Sequence, residues 1–72
     1  MLSYKPLRSI LAKRNIGKKE LMYKADISLT TVDKLLKDES VTLPVLERVC
    51  NFLDCKIGDI VEFVSEEELV KN

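Results

Sequence analysis

Residues 25–38 read ADISLTTVDKLLKD. Ile27, Val32, Leu35 and Leu36 recur at helical spacing and mark one buried side, and between them run Ser28, Thr30, Thr31, Asp33, Lys34 and Lys37 as a polar face. Ser28 sits where its hydroxyl can accept from the free N–H groups of a new helix, so this stretch predicts a helix capped at Ser28. Upstream, KKELMYKA (residues 18–25) brings Leu21, Met22 and Ala25 to a common side and predicts a helix of two turns. Asp26 and its neighbours join the two by a turn of about four residues.

Outward from this pair, Leu7, Ile10 and Leu11 predict a first helix over about Lys5 to Asn15, with Pro6 tolerated in its first turn and Asn15 with Gly17 as its stop. Asp38-Glu39-Ser40 predicts a loop. A fourth helix is expected to start near Leu43, with Thr42 as N-cap and Pro44 in the first turn. Val45, Leu46, Val49, Cys50, Phe52 and Leu53 run round much of its circumference, so it should be the most buried element. In KIGDIVEFV, Ile57, Ile60, Val61 and Val64 are placed to close the core as a fifth helix. Ile60 to Val64 is β-branched and aromatic enough to be extended instead, pairing as a strand across a dimer interface. The expectation is an all-α domain over residues 1–64 followed by a charged C-terminal tail, 65–72.

A chain of 72 residues makes one domain that buries only about 60% of its unfolded surface, which leaves little room for a large cleft. There is no histidine, and Cys50 and Cys55 are the only cysteines, so a zinc site would lack two ligands and no metal or cofactor is expected. Five positions apart on one helix the two thiols would face different sides, and they read as small buried thiols kept reduced in the cytoplasm. No nucleophile stands with a base and no glycine-rich phosphate loop is present, so the chain does not read as an enzyme, and no small-molecule substrate is evident. No long apolar run or secretory leader pattern is visible, so neither a membrane span nor export is expected and the location reads as cytoplasmic.

Zero net charge conceals a division. Residues 1–37 carry nine Lys/Arg against three acids, +6, and residues 38–72 carry three against nine, −6. Such a split predicts an N-terminal half that faces a polyanion and a C-terminal half turned away from it.

A helix, a tight turn and a second helix with an exposed polar face is the arrangement of a helix-turn-helix, whose second helix enters the DNA major groove N-terminus first. LRSILAKRNI, KKELMYKADISLTTVDKLLKD and TLPVLERVCNFLDCKIGDIVEF together resemble the lambda-repressor and Cro-like (XRE) helix-turn-helix family, in particular its small single-domain members. The resemblance spans residues 4–64 and is most specific in LERVCNFLDCKIGDIVEF. It implies a compact five-helix domain with the helix-turn-helix at helices 2 and 3, acting as a transcriptional regulator, in the first instance a repressor.

The resemblance further implies that Leu29, Thr30 and Lys34 read base edges, and that Ser28, Thr31 and Lys37 meet phosphates or the groove edge. Lys18, where the family commonly has glutamine, would touch the DNA backbone. Lysine can donate to guanine O6 and N7, threonine can bond a base edge, and leucine can contact a thymine methyl. Lys18, Lys19, Lys5 and Arg14 would add sequence-independent attraction.

Three departures stand out. Asp26 occupies a turn position that usually carries glycine and must be left-handed. Met22 replaces the usual alanine. Asp33 puts a negative charge on the recognition face, where it could accept from cytosine or orient Lys37 four residues on.

Few base contacts per domain favour a homodimer on double-stranded DNA, with Ile57, Ile60, Val61, Phe63 and Val64 as the candidate interface because they lie far from helix three. The alternative is a protein-interaction module of the same fold, antitoxin-like or anti-repressor, which Leu29, Asp33 and the zero net charge would suit.

Overall fold

The computed structural model describes residues 1–65, and the segment expected as a charged tail falls, from residue 66 onward, outside the described residues. A two-residue strand, β1 (Leu2–Ser3), leads into four α-helices: α1 (Lys5–Lys13), α2 (Lys18–Ala25), α3 (Leu29–Leu36) and α4 (Leu43–Leu53). A single 3-10 turn (Ile57–Asp59) and a short strand β2 (Glu62–Phe63) follow.

The expected fifth helix is therefore not an α-helix. Its apolar residues are three and four apart, but after the 3-10 turn the chain becomes extended and β2 pairs antiparallel with β1, Leu2 opposite Phe63 and Ser3 opposite Glu62. The extended alternative had the right conformation with a different partner, since the strand pairs within its own chain. Reciprocal bonds extend the ribbon: the Met1 amino group donates to the Val64 carbonyl at 2.8 Å and the Val64 N–H to the Met1 carbonyl at 2.7 Å. A two-stranded ribbon is marginal by itself, and this one is carried by the helices beneath it.

Every α-helix is followed by a left-handed residue that is not glycine: Asn15 (φ 57°), Asp26 (φ 57°), Asp38 (φ 60°) and Asp54 (φ 55°). Asparagine and aspartate tolerate this conformation better than other side chains do, because their short polar groups can bond locally. In each case the next N–H reaches back five residues: Ile16 to Leu11, Ile27 to Met22, Glu39 to Lys34 and Cys55 to Cys50, at 2.8–3.1 Å. These bonds satisfy carbonyls that a helix end leaves open. Helix α1 stops at Lys13, two residues before the expected Asn15, because Asn15 already belongs to the reversal.

The core is assembled from Leu7 and Leu11 of α1, Leu21 and Ala25 of α2, Val32 and Leu35 of α3, and Leu46, Val49 and Leu53 of α4, with Tyr4, Ile27 and Ile60 closing it. Ile60 is fully buried, so it is a core residue and leaves the candidate dimer surface. Tyr4, just ahead of α1, is 1% exposed. Phe52 is partly buried against the core.

Asp38 joins the loop after α3 to the start of α1. One of its carboxylate oxygens accepts from the Tyr4 N–H at 2.8 Å and from the Arg8 guanidinium at 2.7 Å. Those two donors, Arg8 first, hold the Asp38 carboxyl below the usual carboxylate range. The Lys5 N–H at the start of α1 is met locally by the Ser3 hydroxyl at 3.2 Å, and the Tyr4 N–H just before it is held by Asp38, 34 positions away. Nothing in the local sequence of α1 announces it.

Candidate nucleic-acid interface

Helix α3 presents its polar face because its apolar residues turn the other way. Val32 and Leu35 are fully buried, which directs Thr30, Lys34 and Lys37 to solvent. Ser28 is extended (φ −75°, ψ 158°), and its hydroxyl accepts from the Thr31 N–H at 3.1 Å while meeting the Thr31 hydroxyl at 2.8 Å. A side-chain cap of this kind stabilises a helix by about 1 kcal/mol. The N–H groups of Leu29 and Thr30 remain at the exposed tip of α3, where the helix dipole favours an anion.

The turn that sets the angle between α2 and α3 is fixed from three directions. Asp26 takes the left-handed conformation expected of it (φ 57°, ψ 53°), Ile27 is buried, and the Arg48 guanidinium of α4 donates to the Asp26 carbonyl at 2.9 Å. Arg48 carries no sequence signal for this role. It reaches the turn from 22 residues away because α4 packs beside α2.

Of the expected base-contacting residues, Leu29 is 49% exposed, Thr30 and Lys34 are exposed, and Asp33 is half-buried. Among the expected phosphate-contacting residues, Lys18, Lys19, Ser28 and Lys37 are exposed and Thr31 is half-buried. Asp33 pairs with Lys18 at 3.4 Å, and no bond to Lys37 takes its place. The pair links the start of α2 to the middle of α3. With both side chains substantially exposed, it contributes at most about 1 kcal/mol. A cleft of about 340 Å³, lined by Thr31 and Lys34 of α3 and by Ser40, Val41, Thr42 and Val45, opens beside this face. Thr42 is extended like Ser28, but its side chain makes no bond to the helix it precedes.

The other cations divide. Lys5 is exposed, whereas the Arg14 guanidinium donates to the Leu53 carbonyl at 2.8 Å and so ties the end of α1 to the end of α4. Arg14 is thereby a structural residue as well as a surface charge. A second, apolar groove of about 500 Å³ lies under Leu2, Leu43, Ile57 and Phe63 and shares Ser40 and Val41 with the first. Leu43 is 71% and Phe63 83% exposed, Ile57 is also exposed, and Val61 and Val64 are half-buried. Among the described residues no helix is long and apolar enough to cross a membrane, and no cluster of three or more His, Cys, Asp or Glu side chains could hold a metal ion.

Comparison with known proteins agrees with this geometry. The family of Cro/C1-type HTH DNA-binding domains matches residues 6–66. The chain is similar to the HTH-type transcriptional regulator YozG of Bacillus subtilis (strain 168), 34% identical over 61 residues that cover 82% of this chain and 73% of YozG. It is also similar to the crystal structure of the transcriptional regulator VanUg, Form II, with a TM-score of 0.82 and 40% identity over 90% of this chain and 87% of that one. Four short helices, a helix-turn-helix at α2 and α3 and a family match over most of the sequence place the chain in the Cro/C1-type family of helix-turn-helix DNA-binding domains.

Proposed function

We propose that this protein is a sequence-specific transcriptional regulator that lays α3 in the major groove, N-terminus first, and represses by occupying its site. The observation that carries the reading is the state of α3: a firmly capped and buttressed helix that leaves Leu29, Thr30 and Lys34 exposed beside Lys18, Lys19 and Lys37. Thr30 and Lys34 would read base edges, with Leu29 available to a thymine methyl, while Ser28, Thr31, Lys37 and the tip of the helix hold phosphates. Asp33 would keep Lys18 oriented and accept from a cytosine amino group where one is in reach.

A homodimer would double these contacts on a two-fold site. Its surface would be the apolar groove side, with Ile57, Val61, Phe63 and Val64, the exposed Phe63 ring acting as the central anchor. Selection from a random duplex pool across a salt series tests both statements. The expected result is a two-fold-symmetric motif, bound with affinity that falls steeply with salt, and loss of that symmetry in Phe63→Glu. Failure to enrich any sequence at low salt would turn the reading to a protein-interaction module of the same fold, which the half-exposed Leu29 and the acidic Asp33 on the same face favour.

A further inference from the structure

Cys50 lies in the last turn of α4, and Cys55 follows Asp54, the left-handed residue that reverses the chain (φ 55°, ψ 53°). On a continuous helix a spacing of five would separate the two side chains. The reversal brings them together instead: the Cys55 N–H donates to the Cys50 carbonyl at 3.1 Å, and the Cys55 thiol is a near neighbour of the Cys50 thiol. Standard bond lengths then keep the two α-carbons within roughly 7 Å, about the upper end of the span that a disulfide bridges. Packing of the last helical turn against the residue after a left-handed cap is a general feature of such helix ends. At the other three helix ends of this chain the corresponding pairs are Leu11 with Ile16, Met22 with Ile27 and Lys34 with Glu39. At the end of α4 both positions are cysteine, both are free, and both are half-buried, open to a small reagent at one side.

We propose that Cys50 and Cys55 are a redox-active dithiol, a modification site that a two-electron oxidant of the peroxide class closes to an intrachain disulfide. Burial, with Cys55 and Asp59 beside it, pushes the Cys50 thiol up to about 11, so Cys50 stays protonated and the first attack falls to Cys55. The Cys55 sulfur attacks one peroxide oxygen, the O–O bond breaks, and water leaves a sulfenic acid on Cys55. The Cys50 sulfur then attacks the Cys55 sulfur. The S–S bond forms, the S–O bond breaks, and the departing hydroxide takes the Cys50 proton as a second water. Two thiols have given up two electrons and two protons, and one peroxide has become two waters. The bond ties the last turn of α4 to the segment leading into the 3-10 turn, without requiring the helices to move.

The test uses the full chain, fully reduced, treated with a graded excess of hydrogen peroxide, trapped with N-ethylmaleimide and weighed intact under denaturing conditions. The expected species has lost both thiols together: lighter by two hydrogen atoms, carrying no maleimide, running as a single chain on a non-reducing gel, and restored by dithiothreitol. In Cys50→Ser, checked for helix content, the same treatment should yield only over-oxidised Cys55 that dithiothreitol does not restore, and in Cys55→Ser the remaining Cys50 thiol should stay largely unreacted and take one maleimide. Cross-linked chains, a sulfinic acid on one cysteine with maleimide on the other, or two maleimides per chain after excess peroxide would each overturn the assignment.

Discussion

Between Lys18 and Leu36 most of the polar links are short. Ser28 caps Thr31 three residues on, Lys18 meets Asp33 fifteen residues away, and among the described residues Arg48 is the one side chain that bonds to the pair from outside it. The closing side of the molecule is held otherwise. Asp38 reaches Tyr4 and Arg8 across 34 and 30 positions, Arg14 reaches Leu53 across 39, and Met1 meets Val64 across 63. The first region is built by rules that act within a few residues and only then aimed by a distant arginine. The second exists only once the helices are in place. Long-range closure costs more chain entropy before any contact rewards it, so the closing side should be the more easily broken of the two.

The sharpest way to break that contrast is to empty the closing side. Ile60→Ala removes a fully buried side chain that docks the 3-10 turn on the core, and the expected loss is about 2–5 kcal/mol, read from urea denaturation. An equal protection of α3 and β2 amides in hydrogen exchange of the wild type would contradict the proposed difference.

Asp38→Asn acts on the same side with a smaller effect, about 1–2 kcal/mol, because it weakens a charged acceptor shared by two donors at a partly exposed site. The carboxyl is lowered in the folded state. Its contribution is therefore present above the unfolded carboxylate value and lost as pH falls through the folded one. Stability of the wild type should decline on acidification more steeply than that of Asp38→Asn, a difference visible in paired denaturation series from neutral pH to pH ~3.

Ser28→Ala and Thr42→Ala compare two N-caps of nearly the same backbone geometry, one bonded and one not. The first should lose about 1 kcal/mol and the second only a few tenths, since no side-chain bond is removed there. Equal losses in thermal denaturation would show that backbone conformation rather than the hydroxyl bond sets the capping strength.

The smallest expected change is a gain. Asp54→Gly relieves a left-handed residue whose side chain makes no hydrogen bond or ion pair among the described residues, and should stabilise by about 0.5 kcal/mol in the same assay. Asp38→Gly relieves the same conformation but removes the link to Tyr4 and Arg8, so it should lose stability where Asp54→Gly gains it.

The recognition side was the more legible in sequence for the same physical reason that makes it local. The spacing of Val32 and Leu35, the cap at Ser28 and the left-handed demand on Asp26 are properties of neighbouring residues, and all three hold in the structure. The helix after residue 56 was misjudged because three-and-four spacing of Ile57, Ile60, Val61 and Val64 suits a helix and does not reveal that Leu2–Ser3 offers a strand partner. Ile60 was read both as a core residue and as part of the dimer surface, for want of any local mark separating a core isoleucine from a surface one, and it is buried. For Asp33 the sequence left open a cytosine, a neighbour to cap or Lys37 one turn along its own helix, and the ion pair it makes is with Lys18 of the neighbouring helix.

The sequence by itself determined the four α-helices, though it expected a fifth, and it gave where they begin to within about two residues and which side of α3 faces water. It did so because hydrophobic period, capping and left-handed stops are set by residues a turn or less apart. Only the tertiary structure decided that Asp38 holds Tyr4 and Arg8 at the start of α1, that Arg48 fixes the turn, that the chain closes as a ribbon, and that Cys50 and Cys55 are brought side by side. Each of these joins groups through a chain reversal or across the core, where proximity follows from how apolar faces pack and not from distance along the chain.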